Sequence, residues 1–355
     1  MLEELQKLMQ FHSVSTDQGA VNNLLDYAEG RLALKGFKVE RRTHNGVNSL
    51  YASVTGEPHA TVMLQGHIDV VPGGNPFTQD GDIIRGRGCF DMLFGTASFL
   101  TLIDTLDDIS RYDLSILLTG DEELGGENGV KAMLDTGGYT CDICILPDAG
   151  DALGLLSVAA KGIYDLKLKV NGVSHHGSRP WEGDGAGNKL VRFLSELSEV
   201  FDTSDHDNST FVVSQLQAGS TALNQGPCEA YAGIDIRYKD GEDFARIKQA
   251  LDTLRETYDV DIVTEEVGRN FSLNTESPLV KRFIEVYQSR IGKSVTLVKS
   301  HGSSDARFFD DKDMPVIMFR PDGGNAHGDG EWLSYASWQS FHQVLTDYVT
   351  ETAKR

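Results

Sequence analysis

Cysteine is scarce: four residues in 355, at positions 89, 141, 144 and 228. That is too few to staple a chain of this length, so a disulfide scaffold is excluded and the thiols are expected to be free. Positive charge is also short. Thirty-two Lys and Arg stand against 53 Asp and Glu, a net charge of −21, which repels phosphate backbones and anionic membrane surfaces and argues against nucleic acid as a partner. No run approaches the ~18 apolar residues that span a bilayer, so no membrane role is expected. The start, MLEELQKLMQFHSV, has neither a basic n-region nor a continuous apolar h-region, and a cytoplasmic protein is expected. Repeats and low-complexity segments are lacking as well. The acidity carries one further demand: an anionic substrate needs a local cluster of arginines to overcome the overall field.

What is present is a chain of ordinary globular composition, 40% hydrophobic and 24% charged, and long enough for two structural units. Apolar runs at Ala60 to Leu64, Leu114 to Leu118, Ile143 to Leu146 and Val316 to Phe319 read as buried strands. Helical patterns lie between them, at Gly95 to Leu106 and Gly129 to Leu134. This alternation predicts an α/β unit with a mostly parallel sheet, whose ligands collect beyond the carboxyl ends of its strands. The middle of the chain differs. Tyr164 to Val170 alternates with period two, Asn188 to Phe201 has helical spacing, and Thr210 to Gln217 and Glu229 to Tyr238 are strand-like. A helix at Gly241 to Tyr258 and a short strand at Asp259 to Val263 follow. The order β-α-β-β-α-β fits a small two-layer α+β sandwich of the ferredoxin-like kind. It is expected as an insertion over 161–270, with 1–160 and 271–355 forming the larger unit.

The residues just after the predicted strands share one chemistry. His67-Ile68-Asp69, Asp121-Glu122-Glu123, Pro147-Asp148 and, after a glycine-rich loop, His327 each follow one strand, and Asp91 sits at a loop-to-helix junction. Two histidines with three or four carboxylates suit zinc or a similar divalent ion, and an aspartate can bridge two ions ~3.5–4 Å apart. Without cations such a cluster would hold several acids protonated at neutral pH. In Glu122-Glu123 adjacent side chains diverge, so one binds metal while the other faces water. Asp69, two residues from His67, is placed to hold the second ring nitrogen of that ligand.

HIDVVPG (67–73), GRGCFDM (86–92), GDEELGG (120–126), LPDAG (146–150), HGSRP (176–180), GSSDAR (302–307) and His327-x-x-x-Glu331 together resemble the M20 family of metallopeptidases and deacylases. The resemblance runs in order from about residue 60 to 331. It implies a zinc-exopeptidase-like catalytic domain with an inserted lid that often mediates homodimerisation. It also implies that Asp91 bridges two divalent ions, most commonly zinc with cobalt or manganese as alternatives, that His67 and Asp148 complete one site, and that Glu123 and His327 complete the other. Glu122 would be general base and then acid. His176, in Gly172-x-x-x-His176-x-x-x-Pro180, would polarise the scissile carbonyl, in dimeric members from the opposite subunit. Asn224 and Arg237 match lid positions, and Arg307 closes the SSDAR segment; the two arginines would grip a substrate carboxylate, where a planar fork suits better than lysine. One departure stands out. The family commonly has D-M-K-G-G after the bridging aspartate, whereas this chain reads Asp91-Met92-Leu93-Phe94-Gly95.

The implied activity is hydrolysis of the amide bond of an N-acyl amino acid, as in acetylornithine deacetylase or succinyl-diaminopimelate desuccinylase, on a small substrate with a free carboxylate. A dipeptidase or carboxypeptidase of the same family is the alternative, and a non-catalytic metal-containing binding module is the alternative of another class. Cys141-Asp-Ile-Cys144 lacks a second cysteine pair and reads as buried packing in a strand.

Overall fold

The computed structural model describes residues 1–150, 152–219 and 222–355. The chain divides into a larger unit, residues 1–158, 272–300 and 304–355, and a smaller one, 159–271 with 301–303.

The larger unit is built on a six-stranded sheet ordered Lys38–His44, Val47–Ser53, Leu114–Thr119, His59–His67, Thr140–Ile145 and Val316–Ile317. The last four of these strands run parallel. Leu114–Thr119 is buried at every position and His59–His67 from Val62 onward, as expected of parallel strands covered on both faces. From His59–His67 the chain passes to its neighbour Leu114–Thr119 on one side and then to Thr140–Ile145 on the other. That reversal makes His59–His67 the switch point, where an open α/β sheet has its crevice.

The sheet is mixed rather than parallel throughout. Lys38–His44 and Val47–Ser53 form an antiparallel hairpin at one edge, and Val47–Ser53 pairs antiparallel with Leu114–Thr119. Its turn is Asn45-Gly46, both at positive φ (47° and 85°), the pairing that a two-residue hairpin of the twisted kind requires. The cysteines are free, Cys89, Cys141 and Cys144 buried and Cys228 exposed.

The smaller unit has strands Gly162–Asn171, Thr210–Ala218, Glu229–Tyr238 and Val260–Gly268 and helices Ala186–Ser198 and Gly241–Tyr258. The sheet order places Gly162–Asn171 between Glu229–Tyr238 and Val260–Gly268, with Thr210–Ala218 at one edge, and every pairing is antiparallel. Period-two alternation sends Tyr164, Leu166, Leu168 and Val170 inward. They meet Ala186, Leu190, Phe193 and Leu197, one stripe of the first helix, and Ile247 and Leu251 of the second. Asp240 caps that second helix by accepting the Asp243 N–H at 2.8 Å.

Leu93 and Phe94, the departure noted above, open the helix Leu93–Thr105, which is buried at ten of its 13 positions from Leu93 to Ile103. Phe94 meets Phe341 edge-on at 5.5 Å and stacks near Phe90 at 6.4 Å. The substitution is thus absorbed into the core rather than presented to the crevice. Gly95 is required here for a close approach: a Cβ would lie 2.9 Å from Pro147 Cγ and 2.7 Å from Met92 Cε, so this helix can reach the strand end before Asp148 only with glycine. Phe94→Ala should lower the free energy of unfolding by about 3–5 kcal/mol, read by chemical denaturation.

Candidate metal centre

Three parallel strands deliver the first donors to one edge. His67 is the last residue of His59–His67, Glu122 and Glu123 lie in a short 3-10 turn after Leu114–Thr119, and Asp148 follows Thr140–Ile145 by three residues. Asp91 and His327 come in on loops. The structure brings these donors together: Asp91 Oδ1 is 3.3 Å from His67 Nε2, and Asp91 Oδ2 is 3.1 Å from His327 Nε2. Asp148 Oδ1 stands 4.0 Å from His67 Nε2, and Glu123 Oε2 stands 3.0 Å from His327 Nε2. The cluster therefore has two sides, each with a histidine and a carboxylate of its own, joined by one aspartate that gives an oxygen to each.

These separations test whether cations fit. Ligands held at about 2.0–2.2 Å around a tetrahedral zinc lie roughly 3.3 Å from one another, and the contacts found, 3.0 to 4.0 Å, bracket that value. One ligand atom each from His67, Asp91 and Glu123 falls within a 4.8 Å set. The donor chemistry, imidazole with carboxylate, suits the same ion.

Protein charges alone leave the cluster under electrostatic load. Burial, together with the charges of Asp305, Asp91 and Glu123, pushes Glu122 up to about 8, His67 acting against the rise. Burial and the charges of Glu122 and Asp91 hold Asp148 well above the ordinary carboxylate range, and burial raises Glu123. Burial works against ionised Asp91, but hydrogen bonds with His327 and His67 outweigh it and hold this carboxyl far below its usual range. His327 is raised to about 9, chiefly by its hydrogen bond with Asp91.

Asp69 is placed otherwise than the spacing suggested. His67 Nδ1 donates to the main-chain carbonyl of Asp69 at 2.9 Å, while the Asp69 carboxylate is 3.6 Å away. That carboxylate instead accepts the N–H groups of Glu122 at 3.2 Å and Glu123 at 3.3 Å. The backbone at the strand end turns its carbonyl to the ring and leaves the side chain free to fix the two glutamates.

In the smaller unit His176 and Asn224 meet, His176 Nε2 lying 3.3 Å from the Asn224 side-chain amide across the paired segments His175–His176 and Gln225–Gly226. The Ser178 N–H donates to His176 Nδ1 at 3.2 Å, and the Ser178 hydroxyl lies 2.8 Å from the same nitrogen. Arg237 is elsewhere in the same unit, eight residues beyond Glu229 along one strand, about 27 Å at ~3.4 Å per residue. It forks onto Asp235 at 2.7 and 2.9 Å. Arg307, in the larger unit, is buried, donates to the Gly125 carbonyl at 2.6 Å and lies over Phe308. It braces the turn that follows Glu123.

Further residues around the cluster carry no motif role in the sequence reading. Asp305 is buried and pushed up to about 8 by that burial, and Gln65 Nε2 donates to it at 3.4 Å. Arg320 lies 4.0 Å over the Phe90 ring, and its charge lowers both Asp91 and Asp148. Arg87 and Glu331, whose carboxylate is buried, hold the loop that carries Asp91. Asp305 lies within GSSDAR and Glu331 ends His327-x-x-x-Glu331, so an acid inside a motif is the signal the sequence carries for both.

The pKa shifts fix a pH trend for metal-free protein. Glu122 and Asp305 rise from ordinary values of 4.5 and 3.8 to about 8. The native state therefore holds protons that the unfolded chain has released, and stability falls as pH climbs through that window. His327, raised from 6.5 to about 9, stabilises below its unfolded pKa and loses that contribution over the upper part of the range. Asp91 shifts the other way, and its contribution is lost only in acid. Chelator-stripped protein should accordingly melt at progressively lower temperature from pH 5 to pH 9, and saturating zinc should remove most of the trend; a flat metal-free profile would contradict these assignments.

The sequence profile of Peptidase family M20/M25/M40 matches residues 63–351. Succinyl-diaminopimelate desuccinylase of Paracoccus denitrificans (strain Pd 1222) is 30% identical over 340 residues, 88% of either chain. The protein of the same name from Sulfurovum sp. (strain NBC37-1) is 26% identical over 98% of both. Among solved structures, a tripeptidase from Staphylococcus aureus aligns with a TM-score of 0.85 at 19% identity, covering 99% of this chain and 97% of that one. An M20 family metallo-carboxypeptidase from Sulfolobus solfataricus aligns at 0.76 and 18%, covering 98% and 99%. With the profile matched over residues 63–351 and a desuccinylase 30% identical over 88% of its length, the chain belongs to the peptidase family M20/M25/M40 and is a hydrolase of amide bonds.

Proposed function

We propose that the protein is a co-catalytic two-metal hydrolase that removes the acyl group from an N-acyl amino acid whose carboxylate is free. The observation that carries this reading is Asp91, with one oxygen toward each histidine and the half-buried Glu122 close enough for the charges to act on each other. In this reading His67 and Asp148 hold one ion, His327 and Glu123 the other, and Asp91 both. Zinc suits the set, with cobalt or manganese as substitutes. Ions bound there supply Lewis acidity and lower the pKa of water.

Glu122 takes the proton from the attacking water and returns it to the departing amine. Cations beside it bring its raised pKa down toward the range in which a carboxylate can do both. Asp69 contributes by fixing the Glu122 and Glu123 backbone. His176 donates a ring N–H to the substrate carbonyl oxygen, with Asn224 beside it, and lowers the charge that develops there. The two relatives above are named desuccinylases, which supports an N-acyl substrate over a peptide. An intact donor set and base count against a non-catalytic binding module.

A homodimer through the inserted unit is part of the proposal. Its edge strand Thr210–Ala218 is exposed or half-exposed throughout, with Val212 and Leu216 54% and 61% exposed, and an open, apolar edge strand invites pairing with another chain.

Glu122→Gln should keep its metal and lose a factor of about 10²–10⁴ in kcat, with wild-type turnover removing Glu122 from the mechanism. N-succinyl and N-acetyl amino acids should be hydrolysed faster than di- and tripeptides in the presence of zinc; the reverse order would reassign the substrate. If His176 acts across a dimer, mixing inactive His176→Ala and Glu122→Gln chains should restore about a quarter of wild-type activity through mixed dimers that each contain one complete site. Mixed dimers with no activity would place His176 on its own chain's site.

A further inference from the structure

Asp91 and His327 lie 236 positions apart by their numbers, yet one buried ion pair reaches both. The Glu331 carboxylate, 1% exposed, accepts at both oxygens: Oε1 from the N–H groups of Phe90 at 2.8 Å and Asp91 at 3.0 Å, Oε2 from the N–H of Gly88 at 3.1 Å and Arg87 Nη1 at 2.7 Å. Four bonds fill the acceptor capacity of a carboxylate. The other arm of the same guanidinium, Arg87 Nη2, donates to the main-chain carbonyl of His327 at 3.0 Å. His327 has φ of 64°, a left-handed conformation that a residue with a side chain keeps only where its surroundings impose it. Arg87 supplies one such constraint on the residue itself.

We propose that Glu331 and Arg87 are positioning residues that set the spacing of the two ion sites. Glu331 fixes Asp91, which both sites share, and Arg87 fixes His327, which serves only one. The inference rests on the two-ion reading above. A merely structural ion pair would act through stability and affect both ions alike. Here the two halves of the pair have different reach: loss of the Arg87 arm acts on the His327–Glu123 side alone, while loss of the Glu331 carboxylate acts on both.

Arg87→Lys separates the cases, because an ammonium keeps the charge opposite Glu331 but lacks the second planar arm. Zinc stoichiometry after equilibrium dialysis, the two stepwise affinities by chelator competition, the absorption spectrum of the cobalt-loaded protein and the melting temperature of metal-free protein are measured together. Wild type should bind two ions. Arg87→Lys should bind one ion with wild-type affinity and the other about 10–100-fold more weakly, with a cobalt spectrum altered only at the weakened equivalent. Glu331→Gln, which turns an amide N–H₂ toward the donors of Gly88 or Arg87, should weaken both ions and serves as the test should the lysine variant not fold. Two wild-type affinities in Arg87→Lys, or equal weakening of both ions that tracks a fall in metal-free melting temperature, would overturn the proposal. Unchanged affinities in Glu331→Gln would do the same. If wild-type protein takes up fewer than two ions, the two-ion reading itself fails, and wild type alone reveals it.

Discussion

Carboxyl groups of Asp69, Asp91, Glu122, Glu123, Asp148 and Asp305 gather where parallel strands end, largely out of water, and their mutual repulsion is the constraint that the larger unit answers. Two unit charges 4 Å apart interact by about 4 kcal/mol at an effective dielectric of 20, so such a group persists only with compensation. The protein provides it in graded form. Three acids that are not proposed as ligands take main-chain N–H groups: Asp69 from Glu122 and Glu123, Glu331 from Gly88, Phe90 and Asp91, Asp121 from Asn128 at 2.9 Å. The acids proposed as ligands face histidines instead. This division separates acids that shape the loops from acids proposed to hold cations.

The same division explains why the crevice needs a stiff floor. The helix Leu93–Thr105, buried on nearly all sides, starts two residues after Asp91, and Gly95 lets it press against Pro147 beside Asp148. Packing of Phe94 against Phe341 ties that helix start to the C-terminal helix Tyr335–Thr352. Asp91 is thus fixed from below by apolar packing and from the side by hydrogen bonds, two mechanisms with different temperature dependence.

Much of the cluster was legible because it follows from position alone. A residue just past the end of a parallel strand reaches the common edge whatever its side chain does, so His67, Glu123 and Asp148 could be grouped from strand ends. The smaller unit was legible for a similar reason: Tyr164 to Val170 alternates strictly, and the order of elements leaves few ways to pair them. What spacing could not supply was the direction of individual groups. Asp69 is two residues from His67 as expected, but whether its carbonyl or its carboxylate meets the ring depends on backbone torsions at the strand end. The edge hairpin rested on Asn45-Gly46, a local signal strong enough to read, flanked by strands too polar on one side, Lys38–His44, to look buried. Arg87 and Glu331 pair across 244 positions, a separation over which neither period nor motif carries information about contact.

The larger unit is discontinuous, and Val316–Ile317 joins its sheet beside Thr140–Ile145 only after the whole inserted segment has been made. Ribosomal synthesis runs from the N-terminus, so four of the five proposed donors exist while the fifth, His327, is still to come. A nascent chain in that interval presents an acid-rich half-site to free cations, and its last sheet strand must close a long loop against entropy. The smaller unit, nearly contiguous in sequence, has no such wait and is free to fold first. Completion of the proposed donor set is therefore tied to synthesis of the segment that follows the insertion, which places high-affinity cation uptake after the smaller unit has been made.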